Sequence, residues 1–323
     1  MSTRDPWNAR RYEPDGRGHY ESWFLRANHP ERSLAFWIRY TIFAPQGAPE
    51  RAEGELWAIV FDGDDIAVGK REVPIGACVF SERGLAVDIE EATLRDGVAR
   101  GEVESIAWDL TYEVGDPPLL LLPRERYDSA FPKAKSVVAA PLARFAGSLR
   151  VRGEAIPVEG WIGSQNHNWG SRHTDHYYWG QVAGFDDAND AFLECITARV
   201  RVGPLHTPWV TLANLRLDGE QHTMVGLLRG ALAKSNVGYF YWDLDTRNDD
   251  TRIVARLEAP RSSFVALRYR NPPGGVKTCL NTKIASATLR VETKGRTREL
   301  HAKHRAAFEI LTDDTAHGLK PVR

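Results

Sequence analysis

The segment Gly163–Gly184, GSQNHNWGSRHTDHYYWGQVAG, combines aromatic, imidazole and amide side chains at close spacing. It carries His167, His173 and His176, with Asp175 beside the last, and a metal site is one chemistry that such residues can perform. The histidine spacing of x5 and then x2 matches no zinc motif, and no cysteine stands nearby, so metal ligation is not expected. Ser164 in Gly163-Ser164-Gln165 lacks the second flanking glycine of a nucleophile elbow. Pro272–Gly275, PPGG, reads as a turn rather than a phosphate loop, so no cofactor is expected.

What these residues can build is an apolar cavity with a few polar groups. In a strand beginning near His176, alternation puts Tyr177, Trp179, Gln181 and Ala183 on one face and Tyr178, Gly180 and Val182 on the other. If the first face looks inward, Trp179 supplies a large π surface and Gln181 a fixed amide. Further on, Phe192, Glu194 and Ile196 share a face, which sets a carboxylate among apolar neighbours. An acid desolvated in that way stays protonated more readily; an ion pair with Arg199 or Arg216 is the plainer alternative. Glu21 and Trp23, in HYESWFLR, repeat the combination near the N-terminus, again with a salt bridge as the alternative.

The elements that must position these residues are strands. Ser33–Phe43, Glu55–Phe61 and Ser105–Tyr112 are short and rich in β-branched and aromatic residues. Strands are also predicted near 176–185, 191–202, 208–217, 221–229, 237–245, 251–258, 263–270, 277–283 and 286–293. Turn signals such as FDGDD at 61–65 separate them, as in antiparallel meanders. The spacing argues for sandwiches or barrels and against βαβ units. Asp116–Pro141 holds five of the 18 prolines and is expected to be a long irregular connection. Leu228–Ala233 reads as a helical turn, and His301–Phe308 as an edge strand or a short helix. The fold class is therefore all-β, in two consecutive domains, 1–172 and 173–323, with the junction just after Gly170.

Composition narrows the partners. The net charge is −1 from 42 basic and 43 acidic residues, with no block of one sign, so neither nucleic acid nor an anionic membrane is an expected partner. The charged start lacks an apolar signal-peptide core, and no apolar run approaches a membrane span, so the expected compartment is the cytosol. The three cysteines are too few and too scattered for a disulfide framework. Ten tryptophans against two methionines imply large, stiff, amphipathic surfaces, in a core or around an apolar ligand.

Taken in order, Tyr20–Arg26 (YESWFLR), Ile106–Tyr112 (IAWDLTY), Gln165–Gly170 (QNHNWG) and Tyr178–Gln181 (YWGQ) resemble the signature strands of the superfamily of tocopherol cyclases, carotenoid 1,2-hydratases and related lipocalin-like proteins. The resemblance spans roughly residues 18–200. It implies two calycin-type β domains holding an apolar ligand, with no cofactor, and enzymes that protonate an isoprenoid double bond and then add water or close a ring. Where a hydratase would have an aspartate before the Asn-Trp-Gly element, this chain has Asn166 and His167. The proton donor is therefore to be sought among Glu194, Asp175, Glu21 and a charged His167, with Asn168 orienting the acid or a water. Trp23, Trp169, Tyr178, Trp179 and Gln181 are the expected substrate wall, the aromatic rings stabilising a carbocation. A lipid or isoprenoid carrier needs the same wall and no acid, and the setting of the carboxylates discriminates the two.

Overall fold

The computed structural model describes residues 5–113, 115–293 and 295–322; the outer ends of the two expected domains, residues 1–4 and 323, lie outside them. It is 65% strand and 7% helix, an all-β chain. Its contacts gather into two units. The first takes the chain up to Leu119 with Ala130–His173 and Arg270–Val276; the second takes Leu120–Ser129, Thr174–Tyr269 and the chain from Lys277 onward.

The first unit is one antiparallel, barrel-like sheet. Its strands run across the sheet in the order Asp65–Pro74, Glu53–Asp62, Leu34–Ala44, His19–Asn28, Glu154–Gly170, Ala134–Val151, Ile106–Glu113, Val98–Val103, Ala92–Arg95, Ala86–Ile89 and Cys78–Phe80. Neighbours are mostly consecutive in sequence, as a meander requires, and the exception seats Glu154–Gly170 beside His19–Asn28. Directly opposed residues share a face. Glu21 lies opposite Ile42 and Trp169, Trp23 opposite Tyr40 and His167, and Leu25 opposite Ile38 and Gln165. This face turns into the core formed by Trp23, Leu25, Tyr40, Leu56, Trp108, Phe145 and Trp161.

The second unit repeats the plan in the order Glu220–Met224, Val210–Leu217, Ala188–Arg199, His176–Phe185, Arg296–Thr312, Val276–Thr293, Thr251–Glu258, Tyr241–Arg247 and Lys234–Gly238. Its core holds Val182, Leu193, Cys195, Leu215, Trp242, Leu257 and Phe308. Val182 and Cys195 lie on the face of Tyr178 and Gly180, so it is this face, and not that of Trp179 and Gln181, that looks into the core.

Local expectations are revised: the strand expected at 237–245 is broken by a turn between Lys234–Gly238 and Tyr241–Arg247, and the one at 221–229 ends at Met224, short of a helix. Residues 301–308 belong to the long strand Arg296–Thr312, which has neighbours on both sides rather than an edge. The strands expected at 277–283 and 286–293 are one, Val276–Thr293, whose pairing slips between Thr282 and Ala287. The proline-rich stretch becomes regular at Ala134, because Pro141 falls where pairing skips from Ala140 to Ala143 and Leu142 takes φ 52°. A bulge tolerates a residue without an N–H donor. The helical turn expected at 228–233 is the helix Leu227–Leu232.

Candidate functional site

The site residues expected from sequence fall into two groups, one in each unit. In the first, the strand pairing sets Glu21, Trp23, His167 and Trp169 side by side on the core face. Residues 5–12 then lie over them. The Trp23 indole donates to Asn8 O at 2.9 Å, and the side-chain amides of Asn8 and Gln165 exchange two hydrogen bonds of 3.0 Å. Glu21 is fully buried and accepts from the Arg11 and Tyr12 amides at 2.7 and 2.8 Å, from His19 at 3.0 Å and from His167 at 2.9 Å. Burial alone would raise its carboxyl; the hydrogen bonds and charges of the two histidines outweigh that and hold it at about 2. Glu21 is thus an ionised acceptor rather than the proton donor considered above.

His167 has an acceptor at each ring nitrogen, Trp7 O at 2.6 Å from Nδ1 and Glu21 at Nε2. Its faces meet the Trp23 ring, centroids 4.6 Å apart and nearly parallel, and the Trp169 ring at 4.7 Å. The Arg11 guanidinium lies 5.2 Å from the Trp169 centroid. Asn168, between them in sequence, points to the opposite face, with Ser22, and its Oδ1 is buried without a hydrogen-bond partner.

In the second unit, Trp179, Gln181 and Glu194 lie on the face turned away from the core and are nonetheless buried, Gln181 at 0% and Glu194 at 2% exposure. The Trp179 indole N–H donates to Glu194 Oε1 at 3.0 Å. Beside them stand residues that the sequence reading did not select. Fully buried Lys283 donates to Glu309 Oε1 at 2.7 Å and to Asn281 Oδ1 at 2.6 Å, and its ammonium lies 5.5 Å from the Trp179 ring centroid. Asn281 donates to Glu309 Oε1 at 3.0 Å and the Tyr177 hydroxyl to Glu309 Oε2 at 3.3 Å. Burial, then the neighbouring Cys279 and Glu309, push the Tyr177 phenol far up, so it remains a donor. Tyr127, from the Leu120–Ser129 segment, is likewise kept protonated by burial. The signal for Lys283 was present as Cys279, Asn281 and Lys283 alternating with Leu280 and Ile284, a polar row in a strand whose other face is core.

Two expected members stand apart from this cluster. Asp175 accepts the Arg201 amide at 2.6 Å, and its own carbonyl accepts from Lys277 at 2.8 Å; it ties down a loop. Tyr178 points to the core face, against Trp209 and Trp242, and burial raises its phenol to about 12. His173 binds the Arg270 carbonyl at 3.1 Å. Among the described residues no group of three or more His, Cys, Asp or Glu is placed to hold a metal ion, and no helix is long and apolar enough to cross a membrane.

By architecture, then, the chain is an all-β protein of two barrel-like antiparallel sheets, and solved proteins share this arrangement. Kievitone hydratase from Nectria haematococca superposes with a TM-score of 0.56 at 11% identity, over 92% of this chain and 89% of that one. CghA with Sch210972 gives 0.61 at 13%, over 92% and 89%. An AttH candidate (NE1406) from Nitrosomonas europaea gives 0.57 at 14%, over 97% and 99%. In sequence the chain is 27% identical over 286 residues to the uncharacterised proteins MT0513 and Rv0493c of Mycobacterium tuberculosis strains CDC 1551 and H37Rv, covering 86% of this chain and 82% of each relative. No protein-family profile matches it.

Proposed function

We propose that this protein is a cofactor-independent hydratase or cyclase that protonates an alkene of an isoprenoid or similar polyene, with Glu194 as the acid. The observation that carries the reading is the Trp179–Glu194 hydrogen bond on a buried face that the hydrophobic core does not use. A buried carboxyl group outside the hydrophobic core, hydrogen-bonded to an indole, is a candidate for chemistry. The fold shared with a protein named a hydratase and with CghA, solved with Sch210972, supports it. Trp179 fixes Glu194 through its N–H. With the Lys283 ammonium already near its ring, it serves better as a positioner than as the carbocation-stabilising face, which falls to Tyr177 among its buried neighbours. Gln181, fully buried on the same face, is the amide placed to orient a water or a substrate oxygen. His167, between Trp23 and Trp169, is the alternative acid.

The test is incubation with linear prenyl compounds and polyenes, followed by mass spectrometry for isomeric or +18 Da products. Glu194→Gln should lower turnover by about 10²–10⁴-fold, the contribution of a positioned general acid, with little change in Tm. Wild-type turnover in that variant ends the assignment of Glu194. A carrier is the second reading, favoured because Glu21 is ionised and Asp175 is spent on a backbone amide. It predicts saturable polyene binding with no product.

A further inference from the structure

The strands Tyr241–Arg247 and Thr251–Glu258 meet at a turn where Arg247 stands directly opposite Arg252. Like charges in that position destabilise a sheet unless something neutralises them. Arg252 is answered by Asp245 at 2.7 Å and Glu292 at 3.4 Å, and nearby Arg229 by Asp249 at 2.7 Å. Arg247, Lys234 and Arg296 make no ion pair within 4 Å among the described residues, although Lys234 stands opposite Asp245 and the charges of Lys234 and Arg247 both reach that carboxyl. The cavity lining thus carries five cations, Arg229, Lys234, Arg247, Arg252 and Arg296, against four carboxylates, a small positive excess.

These side chains edge one open cavity of about 1080 Å³ at the turn end of the second unit's barrel. Its rim includes Leu232, which is 84% exposed; Leu228, one helical turn earlier, is 86% exposed. Large apolar side chains so exposed, beside a rim with an excess of cations and a cavity of ligand size, suit an occupant that covers both kinds of surface. The cavity shares no residue with the Trp179–Glu194 face.

We infer that this cavity binds an amphiphilic anion, a phosphate or carboxylate joined to an apolar chain: Arg247, Lys234 and Arg296 take the anionic head, and Leu232 on the rim the first carbons of the chain. The head group can come from a free small molecule or from a lipid. Arginine forks suit either oxyanion, and the interaction weakens with salt because the site is open.

Calorimetric titration of the full chain with geranyl monophosphate, alongside sedimentation with phosphatidylglycerol vesicles, tests this. Geranyl monophosphate should bind, more weakly at 0.5 M than at 0.05 M salt, where the Debye length is about 4 Å and about 14 Å respectively. The double variant Arg247→Gln/Arg296→Gln should weaken binding by at least about tenfold, the loss of one or two charge-assisted hydrogen bonds. Leu232→Ser should weaken geranyl monophosphate while leaving inorganic phosphate unaffected. Vesicle binding with the same variant pattern assigns the head group to a lipid; binding of geranyl monophosphate alone assigns it to a free ligand. All altered side chains are exposed, so Tm should hold. Failure of both probes to bind, or equal binding by the double variant, overturns the inference.

Discussion

Glu21 and Lys283 are charged groups buried in different units, and each is legible through its partners. Glu21, held at about 2 against an ordinary 4.5, contributes stability that is present above pH about 4.5 and is lost as the pH falls through its folded value. The shift corresponds to on the order of 3 kcal/mol. Glu21→Gln should therefore lower Tm near pH 7 and flatten its decline between pH 5 and 2; a wild-type-like acid limb in the variant would refute this. Lys283→Met strands the Glu309 carboxylate with only neutral donors and should cost about 3–5 kcal/mol, with part recovered in Lys283→Met/Glu309→Gln. Thermal denaturation of the single and double variants measures it. Glu21 and Glu194 were visible in the sequence because each sits on an aromatic strand. The polar row that carries Lys283 was in the sequence too, but its ion pair was not legible, because its partner Glu309 is 26 residues away and only the register of two 17- and 18-residue strands brings them together.

Strands explain what the short motifs are for. In the Asn-Trp-Gly element a Cβ at Gly170 would stand 2.2 Å from Lys133 O, a backbone atom that cannot swing aside. In Trp-Gly-Gln, a Cβ at Gly180 would meet Leu257 Cδ2 at 2.6 Å, the end of a flexible side chain. Gly170→Ala should thus be the more damaging, by more than about 3 kcal/mol, and Gly180→Ala should cost about 1–3 kcal/mol. Urea denaturation of both orders them, and the reverse order would be incompatible with this packing. The strand pattern itself was readable from alternation: 176–185 and 251–258 coincide with the observed strands. Alternation does not say which face meets the core. That choice is made by partners far away in sequence, such as Phe308 behind Gly180, and so Tyr178 and Trp179 exchange the places first expected for them.

At the scale of the molecule, neither unit is a continuous piece of chain. Arg270 brings its guanidinium into the first unit, 2.6 Å from Glu53 and beside Glu55 and Glu72, with its charge over the Phe43 ring. Leu120 accepts a hydrogen bond of 3.0 Å from Asn214 in the second. A chain ending at residue 173 should therefore melt well below the same unit supplied with 270–276 in trans or by fusion, as followed by circular dichroism. Equal melting would show that Arg270 contributes nothing there. Composition and turn spacing reveal two β units, but exchange of short segments leaves no trace in either, since 270–276 is merely a turn with two prolines.

That borrowed segment also sets a clock. On a ribosome adding about 10 residues per second, roughly ten seconds pass between synthesis of His173 and of Arg270. Through that interval Glu53, Glu55 and Glu72 have Lys70 of their own hairpin but not Arg270 as counter-charge, and a nascent first unit is the species on which a chaperone would act.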